Sequence, residues 1–197
     1  MLVPQNMNQV AHLIQESISV KERLLSDESL QKQIVEIAME SISALKNGNK
    51  IIFCGNGGSF ADSIHLAAEF VSKFQRERGA LASIALGANN SILTAVGNDY
   101  SYNEVFAREL GALGAKGDVL IGISTSGNSK NIIRAVEVAD EIGVTSFGFT
   151  GSNDSPLSEK TKCLKIPSSK TARIQEAHIL AGHIICELCE EAMFNFE

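Results

Sequence analysis

The feature that most constrains the fold is the alternation of short apolar segments with longer helical ones after residue 50. Such alternation is typical of βαβ crossovers, in which strands buried on both faces need not alternate apolar and polar residues. The sequence therefore predicts an α/β fold, a three-layer αβα sandwich around a five-stranded, mainly parallel sheet. The expected strands cover residues 51–54, 81–86, 119–123, 144–149 and, more weakly, 163–166, and the expected helices cover about 57–76, 102–113, 129–142 and 172–194.

Residues 6–46 precede this pattern and show the spacing of two amphipathic helices. The helices are separated near Ser26 and Asp27, and Asp27 is placed as an N-cap of the second helix. Asn47 and Gly48 tolerate the left-handed conformation that ends a helix. With 197 residues, three prolines and no linker, the chain is expected to form a single domain over residues 1–197, with the helices of residues 1–48 packing in an oligomer.

Charge and apolar patterning exclude several classes of partner. The net charge is −6 and the isoelectric point is near 5.3, which argues against nucleic acid and against an anionic membrane surface. The longest uncharged stretch, residues 79–98, contains glycine and asparagine, so no transmembrane helix is expected. No secretory signal is recognisable, which predicts a cytoplasmic location. Cys186 and Cys189 have a C-x-x-C spacing, but their apolar helical surroundings favour a packing role.

Two glycine- and serine-rich loops follow predicted strands and lead into predicted helices. They are Gly55-Asn56-Gly57-Gly58-Ser59 and Ser124-Thr125-Ser126-Gly127-Asn128-Ser129. Backbone N–H groups at a helix start, with hydroxyl donors, can bind a phosphate without lysine. Neither nucleotide motif is complete, because the G-x-G-x-x-G pattern ends in Phe60 and no G-K-[ST] occurs. Helix-capping turns are the commoner explanation for one such loop, whereas two at equivalent strand ends leave capping turns and an anion site equally open.

A histidine and a carboxylate share one helix face, since His65 and Glu69 are four residues apart. An isolated pair of this kind is usually structural. The last helix adds Gln175 and His183, whose Cα atoms should be about 12 Å apart along a helix. Both residues could meet one ligand by leaning toward it or by coming from two subunits, and the sequence leaves that choice open. A carboxylate and a histidine facing a sugar phosphate would suit aldose–ketose isomerisation through an enediol.

Five segments carry a recognisable pattern: CGNGGS at 54–59, HLAAE at 65–69, VGND at 96–99, GISTSGNS at 122–129 and RIQEAH at 173–178. Together they resemble the sedoheptulose 7-phosphate isomerases of the sugar isomerase (SIS) superfamily. The similarity covers nearly the whole chain and implies a SIS-type, flavodoxin-like sheet in a homotetramer. It also implies synthesis of D-glycero-D-manno-heptose 7-phosphate for surface polysaccharides such as lipopolysaccharide.

The resemblance also implies a role for individual residues. Glu69 would be the general base and His183 the acid, while Gln175 would touch both metal and substrate. The metal would be one zinc ion per subunit. By position, zinc would be held by His65, Glu69, Gln175 and His183, the phosphate by Ser124, Thr125, Ser126 and Ser129, and the sugar by Asn56, Gly57, Gly58, Ser59, Asn98 and Asp99.

Some positions depart from the family pattern and leave alternatives open. Lys73 stands where many members have arginine, and the two cations differ in geometry. One alternative is isomerisation of another sugar phosphate, of the arabinose 5-phosphate type. Another is a non-catalytic SIS protein that binds a sugar phosphate and a protein partner, which the retention of Glu69 and His183 disfavours. His178 is expected to be a packing residue beside the site.

Overall fold

The computed structural model describes residues 3–194 and contains a parallel sheet between two layers of helices. The strands are β1 (Ile51–Gly55), β2 (Ser83–Ala85), β3 (Val119–Ile123), β4 (Thr145–Thr150) and β5 (Lys162–Lys165). Among the described residues these strands form one sheet in the order β2-β1-β3-β4-β5, and all neighbours are parallel. The predicted three-layer sandwich with a five-stranded sheet is confirmed.

Helices connect the strands and cover both faces of the sheet. They are α1 (Val3–Ser26), α2 (Glu28–Lys46), α3 (Gly58–Val71), α4 (Asn90–Asp99), α5 (Val105–Leu113), α6 (Lys130–Ile142), α7 (Pro156–Lys160) and α8 (Thr171–Phe194), with a 3₁₀ turn at Tyr102–Glu104. The predicted break between α1 and α2 is confirmed, because Asp27 Oδ1 accepts hydrogen bonds from the Ser29 and Leu30 amides. No helix within residues 3–194 is long and apolar enough to cross a membrane.

The core lies on both faces of the sheet, as strand β1 shows. Ile51 and Phe53 pack in the cluster shared with α2, α3 and α8, while Ile52 and Cys54 pack in the cluster shared with α5 and α6. All four are at most 1% exposed. Successive strand residues point to opposite faces, so a strand covered on both sides is apolar throughout. This is why the strand segments lack an alternating pattern.

The structure corrects two of the expected helices. The helix expected over about 57–76 ends at Val71, because Arg78 folds back and donates to the carbonyls of Glu69, Phe70 and Ser72. Helix α5 begins only at Val105, after the 3₁₀ turn, rather than near residue 102. Both differences arise from side-chain hydrogen bonds to the backbone, which local apolar spacing does not reveal.

Two helices were not expected from the sequence at all. Helix α4 follows a short β2 and starts at Asn89, whose Oδ1 accepts from the amides of Ser91 and Ile92. Only Val96 of this helix is fully buried, so its apolar stripe is weak. Helix α7 is one short turn, which begins with a capping box between Ser155 and Ser158. Capping residues rather than hydrophobic periodicity specify both helices.

Candidate active site

The two glycine- and serine-rich loops leave the sheet side by side. Strands β1 and β3 are neighbours, and Gly55 at the end of β1 is paired with Ile123 at the end of β3. In open α/β sheets, ligands bind outside the carboxyl ends of strands where the strand order reverses, which here is between β1 and β3. The candidate site therefore lies at the expected edge of the sheet.

The first loop is shaped by close backbone contacts. A Cβ atom on Gly55 would lie 2.3 Å from the Ser59 carbonyl oxygen, and Gly57 has a φ of +57°. Only glycine satisfies both requirements without strain. The side chain of Asn56 exchanges hydrogen bonds of 3.0 and 2.9 Å with the amide of Asn131, and Tyr102 Oη donates to Asn56 Oδ1 at 2.9 Å. These contacts hold the loop against helix α6. The sequence analysis predicted a site role for neither Asn131 nor Tyr102.

The second loop presents hydroxyl groups around the start of helix α6. Ser124 Oγ lies 3.0 Å from Ser129 Oγ and accepts a hydrogen bond from the Gly127 amide. Ser129 is the N-cap residue of α6 but does not cap it with its side chain, so its hydroxyl faces Ser124 instead. A cavity of about 240 Å³ opens beside Thr125 and Ser126 and is also lined by Thr171 at the start of α8. The hydroxyls and the positive end of the helix together suit an anion.

Gln175 lies at the amino end of helix α3. A Cβ atom on Gly58 would be 2.6 Å from Gln175 Nε2, so the glycine is what permits this close approach. His183, two turns further along α8, reaches the middle of α3 at His65. Within one chain, Gln175 and His183 of α8 therefore contact different parts of α3, at its start and at its middle.

A cluster of His65, Glu69 and His183 joins α3 to α8. His65 Nε2 lies 3.0 Å from Glu69 Oε1 and 3.5 Å from His183 Nε2, and the two imidazole rings are 5.1 Å apart. The side chain of His65 is 49% exposed and that of Glu69 is 24% exposed, so a ligand can reach both. Phe74 covers one side of the cluster, with its ring centre 5.4 Å from that of His183.

Burial shifts the pKa values of His183 and of the neighbouring Asp62. Burial lowers the pKa of His183, and the nearby His65 lowers it further, while Glu69 and Asp62 oppose the shift. His183 is therefore neutral at pH 7. Burial also raises the pKa of the Asp62 carboxyl, whose Oδ2 has no hydrogen-bond partner. Asp62 precedes His65 by three residues, and this helical spacing was the signal that could have identified it.

The donor atoms of this cluster fit a zinc ion chemically. Zinc binds imidazole nitrogen and carboxylate oxygen at about 2.0–2.2 Å in a tetrahedron, so neighbouring donors lie about 3.4 Å apart. The spacings of 3.0 and 3.5 Å are near that value. Within residues 3–194 no group of three or more His, Cys, Asp and Glu side chains is arranged to hold a metal ion, so the cluster supplies suitable donor atoms without forming a complete site.

Three further residues named in the sequence analysis make no contact with the cluster that the structure records. Asn98 and Asp99 end helix α4 and hydrogen-bond each other at 2.8 Å, but among the described residues neither bonds to another predicted site residue. His178 is fully buried, and its Nε2 lies 3.1 Å from the Thr150 carbonyl oxygen, as expected for a packing residue.

The C-x-x-C pair also proves to be a packing feature. Cys186 and Cys189 are free, buried thiols, and burial raises the pKa of both. A thiol buried in apolar surroundings is unreactive because the thiolate is not accessible at neutral pH.

Comparisons with known proteins identify relatives of this chain and agree with its fold. The SIS domain family model matches residues 13–151. A phosphoheptose isomerase from Aneurinibacillus thermoaerophilus is 52% identical over 92% of both chains, and phosphoheptose isomerase 2 from Campylobacter jejuni is 53% identical over 91% of this chain and 90% of its own. The solved structure of a phosphoheptose isomerase from Neisseria gonorrhoeae superimposes with a TM-score of 0.87 at 40% identity, covering 94% of this chain and 98% of that one. The chain belongs to the phosphoheptose isomerase family of SIS-domain proteins.

Proposed function

We propose that this chain is an aldose–ketose isomerase that converts sedoheptulose 7-phosphate to D-glycero-D-manno-heptose 7-phosphate. The observation that carries the proposal is the cluster of Glu69, His65 and His183 between α3 and α8, in a chain whose β3–α6 turn also holds the serine loop. Two relatives that match about nine-tenths of the chain are named phosphoheptose isomerases. The enzyme would serve heptose and surface-polysaccharide biosynthesis in the cytoplasm.

The carboxylate of Glu69 is the group placed to move a proton between carbons. It takes the proton from C1 of the ketose and returns it to C2, with an enediol between the two transfers. The neutral imidazole of His183 shuttles protons between the two oxygens as the carbonyl moves from C2 to C1. Atoms balance, since the product is an isomer and both side chains end in their starting protonation states.

The serine loop anchors the opposite end of the sugar. Ser124, Thr125, Ser126 and Ser129 would donate hydroxyl hydrogen bonds to the phosphate, and the amino end of α6 adds its partial positive charge. The sugar hydroxyls are proposed to be met by Asn56, Gly57, Gly58, Ser59, Asn98 and Asp99.

Zinc is proposed at His65, Glu69, Gln175 and His183, one ion per subunit. When bound there, the ion would polarise the carbonyl and hydroxyl oxygens of the sugar. Elemental analysis of the purified protein should find about one zinc per chain, and a chelator should remove it together with turnover. Unchanged turnover after complete metal loss would refute a catalytic metal.

A homotetramer is proposed as the assembled state. Helix α1 exposes a stripe of large apolar side chains at helical spacing: Val10, Leu13, Ile14 and Ile18, each more than 40% exposed. Exposed apolar stripes of this kind mark protein interfaces. A second chain of the same sequence would cover them.

The test of the function is an NMR-resolved assay with three sugars. Purified protein is incubated with sedoheptulose 7-phosphate, arabinose 5-phosphate or fructose 6-phosphate, beside a Glu69→Gln control. Conversion of the heptulose alone, lost in the control, is the expected result. Turnover of a different sugar would support the same isomerisation with another substrate. No turnover with any of the three sugars, even with added zinc, would favour a non-catalytic sugar-phosphate-binding protein.

A further inference from the structure

The segment between α3 and β2 is wrapped around one buried carboxylate. Glu190 of α8 accepts backbone hydrogen bonds from Phe74 at 3.0 Å, Gln75 at 2.9 Å and Arg76 at 3.2 Å. It also accepts from Arg78 Nε at 2.9 Å. The carboxylate therefore holds a whole turn of irregular backbone in one conformation.

Arg78, the ion-pair partner of this carboxylate, caps the carboxyl end of helix α3. Arg78 donates to the carbonyl oxygens of Glu69 at 2.8 Å, Phe70 at 2.7 Å and Ser72 at 3.1 Å. These are carbonyls that the end of a helix leaves unpaired. The side chains of Arg78 and Glu190 are 1% and 3% exposed, so the pair is buried and fully hydrogen-bonded.

The pair joins the two segments that carry the reacting groups. Glu69, whose carbonyl Arg78 holds, supplies the carboxylate of the cluster. Glu190 follows His183 by seven residues, two helical turns along the same face of α8. The wrapped segment also contributes Phe74, whose ring lies 5.4 Å from the imidazole of His183.

We propose that Arg78 and Glu190 are positioning residues of the isomerase, which set the Glu69 carboxylate against His183 and hold the Phe74 ring on the His183 imidazole. This inference rests on the proposed function for its kinetic part. Neither Arg78 nor Glu190 reaches the sugar, so their effect passes through the placement of Glu69 and His183. The phosphate loop belongs to β3 and α6, so loss of the pair should change kcat more than KM.

The chain offers a matched control in the turn that leads into β3. Asp118 is fully buried, accepts from the amides of Lys50 at 3.0 Å and Ala115 at 2.8 Å, and pairs with Lys50 Nζ at 2.6 Å. It therefore repeats the chemistry of Glu190 at the amino ends of the strands. Asp118→Asn should lower stability as Glu190→Gln does but leave the site geometry intact.

The kinetic experiment compares three variants of the full chain at equal folded concentration. Glu190→Gln should lower kcat by about 10- to 100-fold with little change in KM, because small misplacements of reacting groups have effects of this size. Phe74→Leu keeps the buried pair and should lower kcat by about 2- to 10-fold, through loss of one ring contact. Asp118→Asn should keep the wild-type kcat. Equal kcat losses in Glu190→Gln and Asp118→Asn would overturn the proposal.

A spectroscopic readout separates this proposal from the function itself. The ring-proton resonance of His183, assigned with His183→Gln, senses the ring current of Phe74. It should shift in Phe74→Leu and in Glu190→Gln and stay in place in Asp118→Asn. An unchanged resonance in Glu190→Gln overturns the positioning role. A wild-type chain inactive on every sugar overturns the proposed function, whereas the resonance still decides whether the pair positions Phe74.

Discussion

The buried imidazole of His178 makes the stability of the protein depend on pH. Burial lowers its pKa from 6.5 to about 4, and its Nδ1 has no partner. Below pH 6.5 the unfolded chain binds a proton that the folded chain excludes, so stability falls as the pH drops toward 4. The cost is about 2 kcal/mol at pH 5. Urea unfolding at pH 7.5 and 5 should show this loss in the wild type and a smaller one in His178→Gln. An identical loss in both would assign the acid sensitivity to other groups.

Glu69 is the residue on which the proposed chemistry depends most. Glu69→Gln keeps the size of the side chain but cannot accept a proton from carbon, so turnover should fall by about 10²- to 10⁴-fold. The circular dichroism spectrum and the melting temperature should stay close to those of the wild type. Glu40→Gln, at an exposed position of α2, is the matched control and should be fully active. Normal turnover in Glu69→Gln would refute Glu69 as the proton-transferring group.

The sequence predicts contacts within one helix better than contacts between helices. The pairing of His65 with Glu69 follows from their four-residue spacing, and the structure places them 3.0 Å apart. The approach of His183 to His65 depends on how α8 crosses α3, and no local pattern specifies that crossing. The same holds for Gln175 and Gly58, which are adjacent only because the glycine lacks a side chain.

The start of helix α3 is a sensitive element, because its first residue has no room for a side chain. In Gly58→Ala the added methyl group would meet Gln175 Nε2 and push that amide away. We expect kcat/KM to fall by about 10-fold or more. The control is Gly111→Ala in α5, where the nearest atom is 3.9 Å away and the change should stabilise the helix by about 0.5–1 kcal/mol. Unchanged kcat/KM in Gly58→Ala would remove Gln175 from the mechanism.

Elements with apolar periodicity were predictable, and elements specified by capping were not. The strands and helices α1, α2, α6 and α8 follow the expected pattern closely. The segment after Val71 has enough apolar and charged residues to extend a helix, but the bonds of Arg78 and Glu190 to its backbone override that tendency. Tertiary hydrogen bonds of this kind outweigh the small intrinsic preference of each residue.

At the scale of the whole molecule, the exposed stripe on α1 should control assembly. Ile14→Lys places a charge on a side chain that is 56% exposed in the single chain. Light scattering coupled to size exclusion should show a smaller assembly than for the wild type, with the helical content preserved. Glu22→Lys, at an exposed position already charged, should keep the wild-type mass. If Ile14→Lys also keeps that mass, the stripe is not the interface.

The pairing of Gly55 with Ile123 has a consequence for the length of the substrate. The serine loop follows strand β3, and helix α3, which carries Glu69, follows strand β1. Since both strands are fixed in one sheet, the distance from the proposed phosphate-binding loop to the start of helix α3 is constant. A fixed spacing at the sheet edge would favour substrates of one carbon-chain length. A pentulose phosphate bound at the same serines would hold its carbonyl group two carbons nearer to the phosphate than sedoheptulose 7-phosphate does.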